Sequence, residues 1–281
     1  MNIKTICVCG AGTMGSGIAQ VSATAGFATI LYDLNPEMLQ KAKAGIEAGL
    51  QKLADKGKIT AAAQQQAIDH ITYTNDINQC IANVFIEAII EKTEPKVSLF
   101  NQLAAINSSE SIFASNTSSL SITALAEQIQ HPERVTGLHF FNPAPLMKLV
   151  EVVKTKYTSP DTINTMTGLV KALQKVPVVC KDSPGFIVNR VARPYYIEAL
   201  RLAEEGLADF KQMDELLEST GFKMGPFALM DLIGNDINYA VSCSVYEQLD
   251  KPERLKPSYI QEEKVKNGEL GRKSGKGYYS Y

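Results

Sequence analysis

Gly10-Ala11-Gly12-Thr13-Met14-Gly15 follows a β-rich run, Ile3 to Cys9, and opens a helical pattern from Thr13 to Ala25 that Gly26 closes. Few folds accept a strand that turns this abruptly into a helix. The first glycine permits the tight turn, the second lets a bound group come close to the backbone, and the third lets helix pack on strand. A helix that starts here can return the chain to a second parallel strand, read at Ala28 to Tyr32. The unit is βαβ, and it demands a sheet covered by helices.

The alternation continues. Pro36 to Ala54 reads as a long helix with a favourable proline at its start, followed by strand Val84 to Ile89, helix Pro95 to Ile106, strand Ile112 to Ser115 and helix Ile122 to Ile129. Val135 to His139 is another strand, and Leu149 to Val153 and Val176 to Cys180 add two more around a helix at Asp161 to Leu173. These last two extend the far edge of the same sheet. The pattern changes at Asp182-Ser183-Pro184-Gly185, beyond which everything reads as helix: Phe186 to Glu204 closed by Gly206, Lys211 to Ser219, Ala228 to Leu249 and Pro257 to Asn267. Pro194 should kink the first of these or mark a shorter helix. The expected fold is α/β, a Rossmann-type doubly wound, mostly parallel sheet over residues 1–181, then a smaller all-helical domain over 182–281.

The totals narrow the function classes. A chain of 281 residues with 45% hydrophobic and 21% charged residues buries a sizeable core. A formal net charge of -2 carries no electrostatic footprint for nucleic acid. The five cysteines (Cys7, Cys9, Cys80, Cys180, Cys243) are scattered without a C-x-x-C pair, which argues against a metal site or a disulfide framework and for a reducing compartment. Cys7 and Cys9 share one face of a buried strand as small hydrophobes. The first strand begins almost at once and no apolar run spans a bilayer, so the expectation is a cytoplasmic protein without a leader or membrane segment.

The helix opened by the glycine loop offers unpaired N–H groups and a positive dipole end, a setting for a pyrophosphate. Asp33 ends the second strand at the spacing of a carboxylate that binds the adenosine ribose hydroxyls. It would repel a 2′-phosphate, and Leu34 and Asn35 offer no arginine to accommodate one, so NAD is favoured over NADP. The other reading is a glycine-rich turn with no ligand.

Three histidines are present. His70 and His131 lie in polar, loop-like stretches and read as solvated surface residues, whereas His139 closes an apolar strand at the end of the sheet where ligands collect. Glu151, flanked by Leu149, Val150, Val152 and Val153, is costly to bury unless paired. Either it faces water from an edge strand or it pairs with His139. Paired, Glu151 fixes one ring nitrogen and the other takes the proton of a substrate hydroxyl while hydride leaves the same carbon.

Four motifs in order, Gly10 to Ala19 (GAGTMGSGIA), Ala114 to Leu120 (ASNTSSL), His139 to Val153 (HFFNPAPLMKLVEVV) and Asp182 to Arg190 (DSPGFIVNR), resemble the L-3-hydroxyacyl-CoA dehydrogenases. The likeness extends to Leu270 to Tyr279, and a chain of this size without a fused hydratase domain looks most like the bacterial 3-hydroxybutyryl-CoA dehydrogenases. The resemblance implies NAD-dependent interconversion of (S)-3-hydroxyacyl-CoA, of short chain, and 3-oxoacyl-CoA. It implies His139 as base, Glu151 as its partner, and Ser118 and Asn189 as contacts to the substrate, Ser118 also touching cofactor. Gly10, Gly12, Thr13, Met14, Gly15, Asp33, Glu91, Lys96, Asn142 and Lys273 then match cofactor contacts, and Lys56 matches a coenzyme A contact. Lys96 and Lys273 would offset phosphate charge; the alternative for these lysines, and for Lys56 among Lys52 and Lys58, is a solvated surface. The site would lie in the cleft between domains, closing by a hinge, with the helical domain holding substrate and forming a homodimer.

The chain departs from the family at Phe222-Lys223, Met230-Asp231 and Asn235-Asp236, which bears on acyl preference and the dimer contact. Two other functions fit a fold of this kind. A β-hydroxyacid dehydrogenase acting on a free acid would use a lysine, but the helix after Gly185 offers Asn189 and Arg190. A non-enzymatic NAD-binding protein would have lost His139 or Glu151, and both are present.

Overall fold

The structure, a computed structural model, describes residues 2–281. Met1, and with it the start of the chain on which the no-leader expectation rests, lies outside the described residues. Two compact units divide the chain, Met1–Asp182 and Ser183–Tyr281.

The first unit alternates as its sequence demands: β1 (Thr5–Cys9), α1 (Thr13–Thr24), β2 (Ala28–Tyr32), α2 (Pro36–Asp55), α3 (Ala61–Asp69), β3 (Ile71–Thr74) and β4 (Val84–Glu87). Then come α4 (Thr93–Ile106), β5 (Ile112–Ser115), α5 (Ile122–Ala126), β6 (Val135–Phe140), β7 (Leu149–Lys154), α6 (Pro160–Ala172) and β8 (Val176–Lys181). The strands form one eight-stranded sheet in the order β3-β2-β1-β4-β5-β6-β7-β8. Every neighbouring pair is parallel except β6 with β7. The mostly parallel, doubly wound sheet expected from the alternation is what the chain forms, and β7 and β8 do extend its far edge.

Period-two alternation sends successive side chains to opposite faces. Ile6, Val8 and Ile86 pack with Ile18 and Ile46 of the helices on one face. On the other, the Phe85 and Phe113 rings stack at 5.2 Å and Phe100 of α4 tilts against Phe113 at 5.5 Å. Each such buried side chain contributes about 1.5–3 kcal/mol. Cys7 and Cys9 are fully buried with their sulfurs 3.8 Å apart, small hydrophobes as read.

Two elements escaped the sequence reading. Ala61–Asp69 has no apolar stripe, only Ala67 being buried, yet Thr60 caps it by accepting the Ala63 N–H. Ile71–Thr74 is a short edge strand. His70, read as solvated, joins them, half-buried with Nδ1 3.4 Å from the Ala23 carbonyl.

The second unit holds α7 (Val188–Glu204), α8 (Phe210–Ser219), α9 (Pro226–Ile233), α10 (Asn235–Gln248) and α11 (Tyr259–Lys266). α7 starts later than expected because Gly185 and Phe186 take positive φ of 73° and 47°. It then continues past Pro194, which has no N–H to give the carbonyl four residues back. The single helix expected over Ala228 to Leu249 is two, broken where Gly234 adopts φ 102°, a conformation L side chains avoid.

The C-terminal strand of residues after α11 is tied back by two buried carboxylates. Asp231 accepts the Tyr278 and Tyr279 N–H groups at 3.0 Å, the Tyr281 hydroxyl at 3.2 Å and the Asn235 amide at 2.9 Å. Asp214 accepts the Phe227 and Ala228 N–H groups that open α9, and the Tyr279 hydroxyl at 2.7 Å. Asp231 and Asn235 are 1% and 0% exposed, held inside the helical unit by these bonds.

Candidate active site

The glycine loop sits where β1 ends. A Cβ built on Gly15 would lie 1.7 Å from the Gly10 carbonyl oxygen, so α1 approaches the loop too closely for any side chain. A Cβ on Gly12 would meet nothing within 4 Å, leaving open space over that peptide. Asp33, following β2, accepts the Ala11 N–H through Oδ2 at 2.7 Å and the Asn35 N–H through Oδ1 at 2.9 Å. It thereby braces the loop. Thr13 and Met14 form the first turn of α1, which carries no acidic residue to compete for its dipole. Gly10, Gly12, Asp33, Leu34, Ile89 and Gln102 help line a cavity of about 640 Å³. Open backbone, a bare helix start and a carboxylate at the end of β2 around one cavity fit a dinucleotide.

His139 lies one residue from the end of β6, at the same edge of the sheet, where ligands gather in open α/β folds. The antiparallel return of β7 puts Glu151 directly opposite it. Nδ1 of His139 is 2.7 Å from Oε2 of Glu151, with His139 6% and Glu151 0% exposed. A carboxylate only accepts, so Nδ1 carries the hydrogen and Nε2 is the basic nitrogen of the neutral ring. The Phe141 ring tilts against the imidazole at 4.5 Å, and Asn116 accepts the Phe140 N–H at 2.8 Å, tying the ends of β5 and β6 together. Of the two readings left open for Glu151, the structure shows the buried, paired one.

Glu87, the last residue of β4, was not singled out in the sequence. It is 0% exposed, accepts the Ile89 N–H at 2.7 Å and the Ser115 hydroxyl at 2.6 Å, and pairs with the Lys96 ammonium at 2.6 Å. Lys96 reaches on to Glu91 at 3.0 Å, and Glu91 accepts from the Thr117 hydroxyl, the Ser118 N–H at 3.2 Å and the Ser119 hydroxyl at 2.9 Å. Lys96 is 1% exposed with its charge met by two carboxylates. Of the two expectations for Lys96, the solvated one gives way: the buried cation joins the loops after β4 and β5. The signal that would have found Glu87 is the one used for Glu151: a carboxylate inside an apolar strand needs a partner.

Burial pushes the Glu91 carboxyl up, but the Lys96 charge and the Thr117 and Ser119 hydroxyls outweigh it, and Glu91 titrates below the usual range. A carboxyl lowered on folding adds stability above its unfolded-state value, about 4.3, that is lost as pH falls through the folded value. Urea unfolding midpoints should therefore drop more on acidification from pH of about 6 to about 3 in the wild type than in Glu91→Gln. Equal slopes would mean that this loop network carries no titrating charge.

The remaining expected site residues are scattered more widely. Ser118 is half-buried in the turn held by Glu91, and Asn142 is exposed just beyond β6. Lys56 caps the end of α2 and is exposed, in none of the bonds described above. In the second unit, Asn189 is half-buried in the first turn of α7, and Lys273 pairs with Asp236 at 2.6 Å, so its charge is already met.

A doubly wound sheet, a glycine loop braced by Asp33 and a carboxylate-backed imidazole on the same sheet edge define a class, the dinucleotide-binding dehydrogenases of Rossmann type with an additional helical domain. Residues 5–183 match the sequence profile of the 3-hydroxyacyl-CoA dehydrogenase NAD binding domain, and residues 185–281 that of its C-terminal domain. The chain is 46% identical over its whole length to the 3-hydroxyadipyl-CoA dehydrogenase of Escherichia coli, of which it spans 60%. It is 40% identical to the mitochondrial hydroxyacyl-coenzyme A dehydrogenase of Sus scrofa, with 99% of this chain and 91% of the relative aligned. The crystal structure of (S)-3-hydroxybutyryl-CoA dehydrogenase from Ralstonia eutropha superposes with a TM-score of 0.95 at 38% identity, covering 100% of this chain and 99% of that one. The chain belongs to the 3-hydroxyacyl-CoA dehydrogenase family. No helix of the described residues is long and apolar enough to cross a membrane.

Proposed function

We propose that the chain interconverts (S)-3-hydroxyacyl-CoA and 3-oxoacyl-CoA thioesters of short acyl chain, with His139 as the general base. The single observation that carries this is the buried 2.7 Å bond between His139 Nδ1 and Glu151, which aligns the ring for proton transfer at Nε2. NAD, when bound, accepts the hydride from C3 of the alcohol. His139 takes the hydroxyl proton as the C3–O bond becomes a carbonyl, and Glu151 stabilises the imidazolium so formed. On the family likeness, Ser118 and Asn189 are each assigned a bond to the C3 oxygen or the thioester carbonyl. Gly12, Thr13 and Met14 receive the pyrophosphate and Asp33 the ribose, while the exposed apolar Leu34 and Ile90 on the cavity rim suit a flat adenine ring. Glu91 and Asn142 serve the nicotinamide side, and Lys56 and Lys273 are assigned coenzyme A and cofactor contacts on the family likeness alone.

Five free thiols, four of them buried, fit a reducing cytoplasm. Exposed Leu207, Leu216, Phe222, Leu232, Ile237 and Tyr259 supply apolar surface on the helical unit for the homodimer we assign there. Oxidation of NADH is expected on adding acetoacetyl-CoA, and absence of turnover with this and with every longer 3-oxoacyl-CoA would overturn the reading.

A further inference from the structure

Arg193 is 2% exposed, and no carboxylate among the described residues pairs with it. Its partners are all neutral. Nε donates to the Asn189 carbonyl at 3.1 Å, and Nη1 donates to the Asn238 carbonyl and the Ser242 hydroxyl, both at 2.9 Å. The guanidinium plane lies 4.9 Å from the Tyr196 ring centre. These bonds use Nε and Nη1 and leave Nη2 aside. The group is thus clamped through Nε and Nη1, with Nη2 in none of these bonds.

Burial draws the guanidinium down to about 10, partly countered by Tyr196, so it stays positive at neutral pH. A buried charge with no counter-charge is costly to keep, whereas a ligand anion converts the same cation into a preorganised receptor. Arginine's planar fork suits a carboxylate in particular.

Arg193 stands four residues, about one helical turn, beyond Asn189, a rise of about 6 Å, and bonds to that residue's own carbonyl. With Asn189 on the substrate near C3, as the proposed function has it, the acyl chain beyond C3 runs within reach of Arg193. Three carbon–carbon bonds past C3, a chain of adipyl length ends in a carboxylate, one helical turn being within reach of such an extension together with a hydrogen bond. The E. coli relative that is 46% identical carries the name 3-hydroxyadipyl-CoA dehydrogenase.

We propose that Arg193 is the receptor for a terminal carboxylate on the acyl chain, and that the preferred substrates are CoA thioesters of short 3-hydroxy dicarboxylic acids. This rests on the dehydrogenase reading above and specifies its substrate.

The test compares two thioesters of equal length, 3-oxoadipyl-CoA and 3-oxohexanoyl-CoA, which differ only in a terminal carboxylate against a methyl group. With NADH and the full-length protein, kcat/KM for 3-oxoadipyl-CoA should exceed that for 3-oxohexanoyl-CoA by about tenfold or more, since a site built for a polar group rejects the analogue that lacks it. Arg193→Met should bring the ratio to about one or below, and Arg193→Lys should restore part of it. A purely structural arginine would lower both rates together and leave the ratio unchanged, which overturns the proposal. Equal wild-type rates with the two thioesters overturn it without any variant. Turnover of neither thioester sinks the dehydrogenase reading and this proposal with it.

Discussion

Replacing His139 with alanine is expected to lower kcat/KM for acetoacetyl-CoA by roughly 10²–10⁴-fold. The imidazole sits at the C-terminal edge of β6, 6% exposed and fixed by a 2.7 Å bond. Its removal takes away the group that accepts the alcohol proton, or delivers it to the 3-oxo group in the reverse direction, and leaves water as a poorly placed substitute. The glycine loop follows β1 and Asp33 follows β2, whereas His139 stands on β6, so NADH should bind the variant about as well as the wild type. Fluorescence titration with NADH and steady-state kinetics separate the two effects. A variant that keeps wild-type turnover would remove His139 from the mechanism.

Glu151→Gln is expected to cost about 10²–10⁴-fold in kcat, because the carboxylate fixes the tautomer and balances the charge that His139 gains. Glutamine fills the same space between the buried neighbours Val150 and Val152, so packing is preserved. Its amide, however, can turn its NH2 toward Nδ1, which moves the ring hydrogen to Nε2 and blocks the base. Even with its oxygen turned inward, the neutral amide leaves the imidazolium without its counter-charge in a site closed to water. Far-UV circular dichroism and the thermal midpoint should match the wild type while kcat falls. Unaltered kcat at an unaltered midpoint would show that the pair is structural only.

Much of this site was legible before the fold was known. Gly10, Gly12 and Gly15 at their spacing between a strand and a helix predict a dinucleotide loop, and the loop stands there with Asp33 bracing it. The apolar flanks of Glu151 signalled a buried carboxylate in need of a partner, and His139 is that partner. The same rule applied to Glu87 would have found the Lys96 pair, but a four-residue strand gives too short an apolar context to make the carboxylate stand out. The α3–β3 segment went unread because Ala61–Asp69 buries only one residue, so its helix leaves no periodic trace. The division of the helix over Ala228 to Leu249 hung on one glycine whose positive φ no pattern announces.

What the sequence settles by itself is local. Period and punctuation decide which segments are strands and helices, which face of each is apolar, and where a glycine must stand because a neighbour's backbone leaves no room. Pairing is not local. His139 meets Glu151 only because β7 returns antiparallel to β6 in a register that sets the two opposite one another; one residue of slip would send Glu151 to the other face of the sheet. Lys96, read either as a cation for phosphate or as solvated, is buried and shared by Glu87 and Glu91. Arg193 drew no notice in the sequence and is buried against neutral partners. A charge has no fixed meaning along the chain: what it does depends on which groups the fold brings within hydrogen-bond reach, and burial decides how strongly they are felt.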